Sequence, residues 1–271
     1  MIGSNQWWRR RGTGFAAAFL LRRGWPQAGH DRRLPLPGGC PLSARCGRLR
    51  AGPVLVQRAL VRKHRPGRRL HLTRSAAGGR GGAAVGAVPA RNVRWGIAAW
   101  SGEVVGVTWQ DGIVCRWDRE TLELRGTAER EGEGWGLASD GESLILSDGS
   151  ATLRFLDPET LAERRALVLT AGGAALPLLN ALAWVKSEIL ANVGGQSVTA
   201  RIHPASGRTR GLIDLTPLVA EAAGGDPEKV ANGIAWDEAG GRLFVTGKNW
   251  PWLYEIAVEP APAGRARLSA A

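Results

Sequence analysis

Four segments of this chain repeat one pattern, and that repeat limits the folds open to it. They begin at Trp95-Gly96-Ile97-Ala98-Ala99-Trp100, Trp135-Gly136-Leu137-Ala138, Asn180-Ala181-Leu182-Ala183-Trp184 and Asn232-Gly233-Ile234-Ala235-Trp236. A short polar turn follows each, then a second apolar run: Val104 to Val107, Leu144 to Leu146, Ile189 to Leu190 and Leu243 to Val245. The small second residues Gly96, Gly136, Ala181 and Gly233 are spaced by 40, 45 and 52 positions. Short strands repeating at that interval predict an all-β fold, a β-propeller with about four recognisable blades. In a propeller the equivalent ends of all blades face one mouth, so a site there can draw on distant residues.

Within the repeats, Asp111-Gly112 is expected to close a hairpin after Val105, Val107 and Trp109, and Asp148-Gly149 and Asp140-Gly141 mark further turns. A second repeat marks the outer strands. Arg116-Trp117-Asp118-Arg119-Glu120-Thr121-Leu122 matches Phe155-Leu156-Asp157-Pro158-Glu159-Thr160-Leu161, and Ile202-His203-Pro204-Ala205-Ser206-Gly207 is a degraded copy. Aspartates in such strings form turns by bonding the backbone ahead of them, which explains Asp118 and Asp157 better than metal binding does. Helical spacing predicts one helix, from Leu215 to Ala223, ending at Gly224-Gly225.

The first third differs from the rest. Residues 1–95 hold 20 of the 36 basic residues and one of the 24 acidic ones, a surplus of 19; the remainder has 16 basic against 23 acidic, a deficit of 7. The stretch is mostly Arg, Gly, Ala, Pro and Leu and has neither strand nor helix periodicity, so it is expected to be disordered or irregular. Three readings fit it: a basic tail for nucleic acid or an anionic surface, a bland extension, or GC-rich DNA translated out of frame. The abrupt change near residue 96 favours the last. The expected division is residues 1–94 as this anomalous region, 95–258 as the propeller, and 259–271 as a polar tail.

Arg9 to Arg11 before the apolar run Phe15 to Leu21 weakly resemble an export signal, but the run is short and Arg22-Arg23 ends it without a small-residue cleavage site, so the location stays open between export and retention. No run reaches membrane-spanning length. Cys115 falls in an alternating apolar stretch and reads as core; Cys40 and Cys46 lie in the anomalous third. His30, His64, His71 and His203 are scattered without metal-ligand spacing, so no metal and no cofactor are expected.

Longer strings carry a family resemblance. Gly132-Glu133-Gly134-Trp135-Gly136-Leu137, the stretch Ser147 to Pro158, Asn232 to Trp236, and Gly241 to Pro251 resemble the plant- and bacterial-type glutaminyl-peptide cyclotransferases. The resemblance spans about residues 96–257. It implies a five-bladed, metal-independent propeller that converts the N-terminal glutamine of peptides or proteins to pyroglutamate and releases ammonia. It implies pocket roles for Trp109 and Trp135 as aromatic walls, Glu133 as a carboxylate for the substrate amine, Asn180 as a hydrogen-bond partner of the substrate amide, and Lys248 as a source of charge for the amide oxygen or the proton network. The partners implied are peptides beginning with glutamine; no nucleic acid or membrane is expected, and a monomer is.

Two positions depart from the family pattern. The glutamate that shuttles the proton falls at Trp95, within Asn92-Val93-Arg94-Trp95-Gly96, and indole exchanges no proton near neutral pH. Where a pocket tryptophan is expected after Asn192-Val193, this chain has Gly194-Gly195-Gln196. The expectation is therefore a cyclotransferase of impaired activity; the competing class is a propeller that binds peptide N-termini without turnover.

Overall fold

The computed structural model describes residues 42–48, 71–75, 82–87, 95–250 and 253–260, with side chains for 96–250 and 253–258. Three strands precede the repeats: β1 (Leu42–Arg48), β2 (His71–Ser75) and β3 (Gly82–Ala87). The first blade is β4 (Trp95–Trp100), β5 (Glu103–Thr108), β6 (Ile113–Asp118) and β7 (Leu124–Glu129). The second is β8 (Gly136–Ser139), β9 (Leu144–Ser147), β10 (Thr152–Leu156) and β11 (Glu163–Val168), followed by the short hairpin β12 (Thr170–Ala171) and β13 (Ala174–Ala175). The third is β14 (Leu179–Val185), β15 (Glu188–Val193), β16 (Val198–Ile202) and β17 (Thr209–Asp214). After helix α1 (Thr216–Ala223) comes the fourth, β18 (Ala231–Asp237), β19 (Arg242–Gly247) and β20 (Tyr254–Pro260). Consecutive strands within each blade pair antiparallel, and the first strands β4, β8, β14 and β18 neighbour one another in that order around the axis.

The glycines of the repeat are explained by that axis. A β-carbon on Gly96 would stand 2.5 Å from the carbonyl carbon of Gly136 and the nitrogen of Leu137. One on Gly136 would run into the carbonyl oxygen of Asn180. Inner strands therefore meet backbone to backbone, which only a residue without a side chain permits. In β14 and β18 the corresponding positions, Ala181 and Gly233, sit in irregularities of strand pairing.

Each second strand is buried on both faces, because alternate side chains serve opposite neighbours. Leu144 and Leu146 pack with Ala98, Val105, Val107 and Val114 of the first blade. Ile145, between them, packs with Leu182, Ile189 and Ile202 of the third. Leu190 and Ile213 of the third blade then meet Leu243, Val245 and Ile256 of the fourth, with Leu218 and Ala222 of α1 filling the same core. Cys115 is fully buried as a free thiol, its pKa pushed up to about 11 by desolvation.

The outer aspartates make turns. Oδ1 of Asp118 accepts the N–H groups of Glu120 (2.7 Å) and Thr121 (2.8 Å), and Oδ1 of Asp157 those of Glu159 (2.9 Å) and Thr160 (2.8 Å). His203 repeats the motif, its Nδ1 accepting the Ser206 N–H at 3.3 Å. Hydrogen bonds from the Thr121 backbone, then Glu120, lower the Asp118 pKa to about 2. The helix runs from Thr216, one residue after the expected start, and stops at Gly224 in the left-handed conformation.

One expectation is corrected. The Asp111-Gly112 hairpin forms between β5 and β6, but Trp109 is not in its strand: β5 ends at Thr108, whose Oγ1 accepts the N–H of Ile113 (2.8 Å) and donates to its carbonyl (3.1 Å). Residues 109–112 therefore form a loop in which only Gly112 has positive φ (65°), and Trp109 leaves the strand alternation. The described residues of the first third form short strands. β1 pairs along its whole length, antiparallel, with β20 and also touches β17 in parallel (Leu42↔Ile213, Ser43↔Asp214), closing the fourth blade from the opposite end of the chain. An open edge on β20 selects backbone hydrogen bonds rather than side-chain pattern, so composition gave no sign of it. At the other end, β20 runs through Glu259 and Pro260. The export-like segment at residues 9–21, Cys40, His30, His64 and residues 261–271 lie outside the described residues.

Candidate active site at the mouth of the propeller

The start of each inner strand lies opposite the end of the second: Gly96 pairs with Val107, Gly136 with Ser147, Leu179 with Val193, and Ala231 with Gly247. Segments that enter the inner strands and segments that leave the second strands therefore share one end of the propeller. Trp109 and Lys248 follow β5 and β19; Glu133 and Trp135 precede β8; Asn180 is the second residue of β14. Trp95, the first residue of β4, pairs with Thr108 at the same end.

Three of these residues meet. Nε1 of Trp109 donates to Oε2 of Glu133 at 2.9 Å, and Nε1 of Trp135 donates to the same oxygen at 2.7 Å. Nε2 of Gln110 reaches the other oxygen, Oε1, at 3.3 Å. Gly134 makes the meeting possible. Its N–H lies 3.2 Å from the Thr108 carbonyl and 3.1 Å from that of Trp109, and a β-carbon on it would stand 2.7 Å from Cγ2 of Val107. The strand entering the second blade thus presses onto the end of β5 and carries Glu133 to Trp109. The Trp135 N–H is fixed to the Ser147 carbonyl at 2.8 Å, and its ring lies against Gly149. Gly194 is beside the same ring: its β-carbon would be 3.9 Å from Cζ3.

Trp109, Glu133 and Trp135 are all half-buried, unlike the core indoles of Trp117 and Trp250. The guanidinium of Arg130 donates to the Glu133 carbonyl at 3.5 Å; burial, and then repulsion from Arg154, hold its pKa below the usual arginine value. A carboxylate oriented by three neutral donors still has lone pairs free for a further donor, and the two indole rings supply apolar sides.

The other two residues have contacts of their own. The Asn180 backbone carbonyl accepts the Ser147 hydroxyl at 2.7 Å, tying the second and third blades together at the mouth. The Lys248 ammonium donates to Oε2 of Glu228 at 2.5 Å. Sequence reasoning missed Gln110 and Glu228. Gln110 adjoins Trp109 in the Thr108-to-Gly112 string, and that adjacency was the signal that could have found it; Glu228 lies in an aperiodic loop and gave no signal. Among the described residues no group of three or more His, Cys, Asp or Glu could hold a metal, and no helix is long and apolar enough to cross a membrane.

A strand-built propeller with a carboxylate–indole cluster at its axial mouth is the frame these residues define. Residues 82–258 match the family model for glutamine cyclotransferases, and the chain belongs to that family. Over 133 residues it is 41% identical to a glutaminyl-peptide cyclotransferase of Arabidopsis thaliana. That match covers 48% of this chain and 42% of the plant protein, so it spans less than half of that relative's length. The crystal structure of Myxococcus xanthus glutaminyl cyclase is similar with a TM-score of 0.65 at 26% identity, over 82% of this chain and 99% of that one.

Proposed function

We propose that this chain cyclises the N-terminal glutamine of peptides or proteins to pyroglutamate, with release of ammonia. The observation that carries the proposal is the Glu133 carboxylate, held by the indoles of Trp109 and Trp135 from two sides of a blade junction. The reaction is intramolecular. The α-amine nitrogen forms a bond to the side-chain amide carbon, the bond from that carbon to the amide nitrogen breaks, and the amine proton passes to the departing ammonia. Holding the two ends of one residue together removes much of the entropic barrier.

Glu133 takes the substrate amine, Trp109 and Trp135 flank the folded glutamine, Asn180 hydrogen-bonds its amide, and Lys248 offsets charge on the amide oxygen as the carbonyl carbon becomes tetrahedral. The group missing from this scheme is a proton carrier at Trp95. General acid–base assistance contributes about 10²–10⁴-fold, so turnover is slow in this chain by that order. The working unit is residues 95–258, with β1 completing the last blade. The enzyme works as a monomer and engages no nucleic acid.

The test is ammonia release and pyroglutamate formation from a glutamine-initiated peptide, beside calorimetric binding of the same peptide. Slow turnover that disappears in Glu133→Ala supports the proposal. Binding without turnover identifies a non-catalytic scaffold, and neither binding nor turnover refutes a role in glutamine recognition.

A further inference from the structure

Lys248 is held by a segment that the repeats do not contain. After α1, Gly224 turns the chain, and the N–H of Asp226 bonds the Ala223 carbonyl at 3.1 Å. Oδ1 of Asp226 then accepts the Glu228 N–H at 2.9 Å, and the Lys229 N–H returns to the Asp226 carbonyl at 3.1 Å. The other side of this loop is fastened to the strand end that bears Lys248. The Lys248 N–H donates to the Val230 carbonyl at 2.8 Å, and Nε1 of Trp250 donates to the Lys229 carbonyl at 2.8 Å. Trp250 is itself buried, packed against Gly247 and edge-on to Tyr254 at 5.7 Å. Glu228 is therefore presented to the ammonium by a tied loop, not by a freely moving surface chain.

The pair is about one-third exposed on each side, 30% for Lys248 and 35% for Glu228. Ion pairs so exposed add little to stability, so what this one supplies is geometry. A lysine at a loop end has a flexible four-carbon stem, and an ammonium must be in place before the amide oxygen gains charge if it is to act on the rate.

We propose that Glu228 is a positioning residue for cyclisation: it holds the Lys248 ammonium at the mouth and makes the insertion between the third and fourth blades part of the site. This rests on the proposed function, because it takes Lys248 as part of the machinery.

The test has two readouts in the full chain. The first is the rate of acetylation of Lys248 by acetic anhydride, followed by mass spectrometry, which needs no activity. Glu228→Ala and Glu228→Gln should label Lys248 about threefold faster or more, and Glu228→Asp less so. The second is cyclisation kinetics. Glu228→Ala should lower kcat/KM roughly tenfold, with kcat carrying most of the loss, Glu228→Asp should recover part of it, and Glu228→Ala should add nothing in a Lys248→Ala background. Thermal unfolding of each variant should stay near that of the parent. Unchanged labelling, or equal kinetic losses in both backgrounds, overturns the role of Glu228. Faster labelling in a parent chain that neither binds nor cyclises the peptide overturns the proposed function instead, and the positioning role with it.

Discussion

The indole of Trp135 rests on Gly149: a β-carbon at residue 149 would stand 2.7 Å from both Cε2 and Cζ2 of that ring. The ring also donates its N–H to Glu133, so the absence of a side chain at 149 sets where the carboxylate is held. Gly149→Ala should push the ring away and strain a backbone with φ of 83°. A loss of about 1–3 kcal/mol in denaturant-derived stability is expected. Peptide binding measured by calorimetry should weaken by about tenfold or more.

Glu133 carries both the charge and the acceptor for two indoles. Glu133→Gln keeps the shape but removes the charge, and should weaken binding of a glutamine-initiated peptide by about 10–100-fold with a small change in melting temperature. Glu133→Ala leaves both indole N–H groups without this acceptor and should also cost about 1–3 kcal/mol of stability. Equal peptide affinity in the parent and Glu133→Gln would show that the substrate amine binds elsewhere.

Trp95 opens the inner strand β4 at the mouth, where the family resemblance places a proton-transferring glutamate. Trp95→Glu should raise kcat for cyclisation by about 10²-fold, read as ammonia release. Turnover that does not change would place the proton carrier on another residue.

Gly136 touches the next blade through its backbone. Gly136→Ala would drive a methyl group into the carbonyl of Asn180, which also accepts the Ser147 hydroxyl, so the second and third blades must separate there. The expected cost is about 3 kcal/mol or more, seen as a lower melting temperature and a shift toward aggregates in size-exclusion chromatography. Gly126, on the outer strand β7, is the control, because a methyl group there would meet nothing within 4 Å. Gly126→Ala should change stability by no more than about 0.5 kcal/mol.

Asp118 gives the pH dependence a sign. Its pKa falls from the ordinary 3.8 to about 2 in the folded state, through the Thr121 and Glu120 N–H groups first. A depressed carboxyl pKa adds stability above the unfolded value, and that stability is lost as pH falls through the folded value. The parent should therefore be more stable than Asp118→Ala at neutral pH, and the part of the gap due to ionisation should shrink between about pH 4 and pH 2 in parallel thermal melts.

Much of the propeller was legible because its causes are local. Strand period, small residues at the second repeat position and aspartate turns act over a few residues, so Val104 to Val107, Asp118 and Leu215 to Ala223 announced their structures directly. Trp109 could be placed at the mouth only through resemblance, since the alternation ending in Val105 and Val107 assigned it to a strand. Thr108 closing on Ile113 is what frees it. β1 gave no warning, because its place is set by backbone groups on β20 that any sequence without proline can meet.

The amino-acid order alone determined that this chain forms blades, where their turns fall, and which small residues line the axis. It did so because short-range sterics and alternation decide those matters. Tertiary structure alone decided that Glu133 receives two indoles, that Lys248 is claimed by Glu228, and that a strand from residues 42–48 closes the last blade. Those contacts join parts of the chain that become neighbours only after the blades have packed around a common axis, and no local pattern encodes the distance between them.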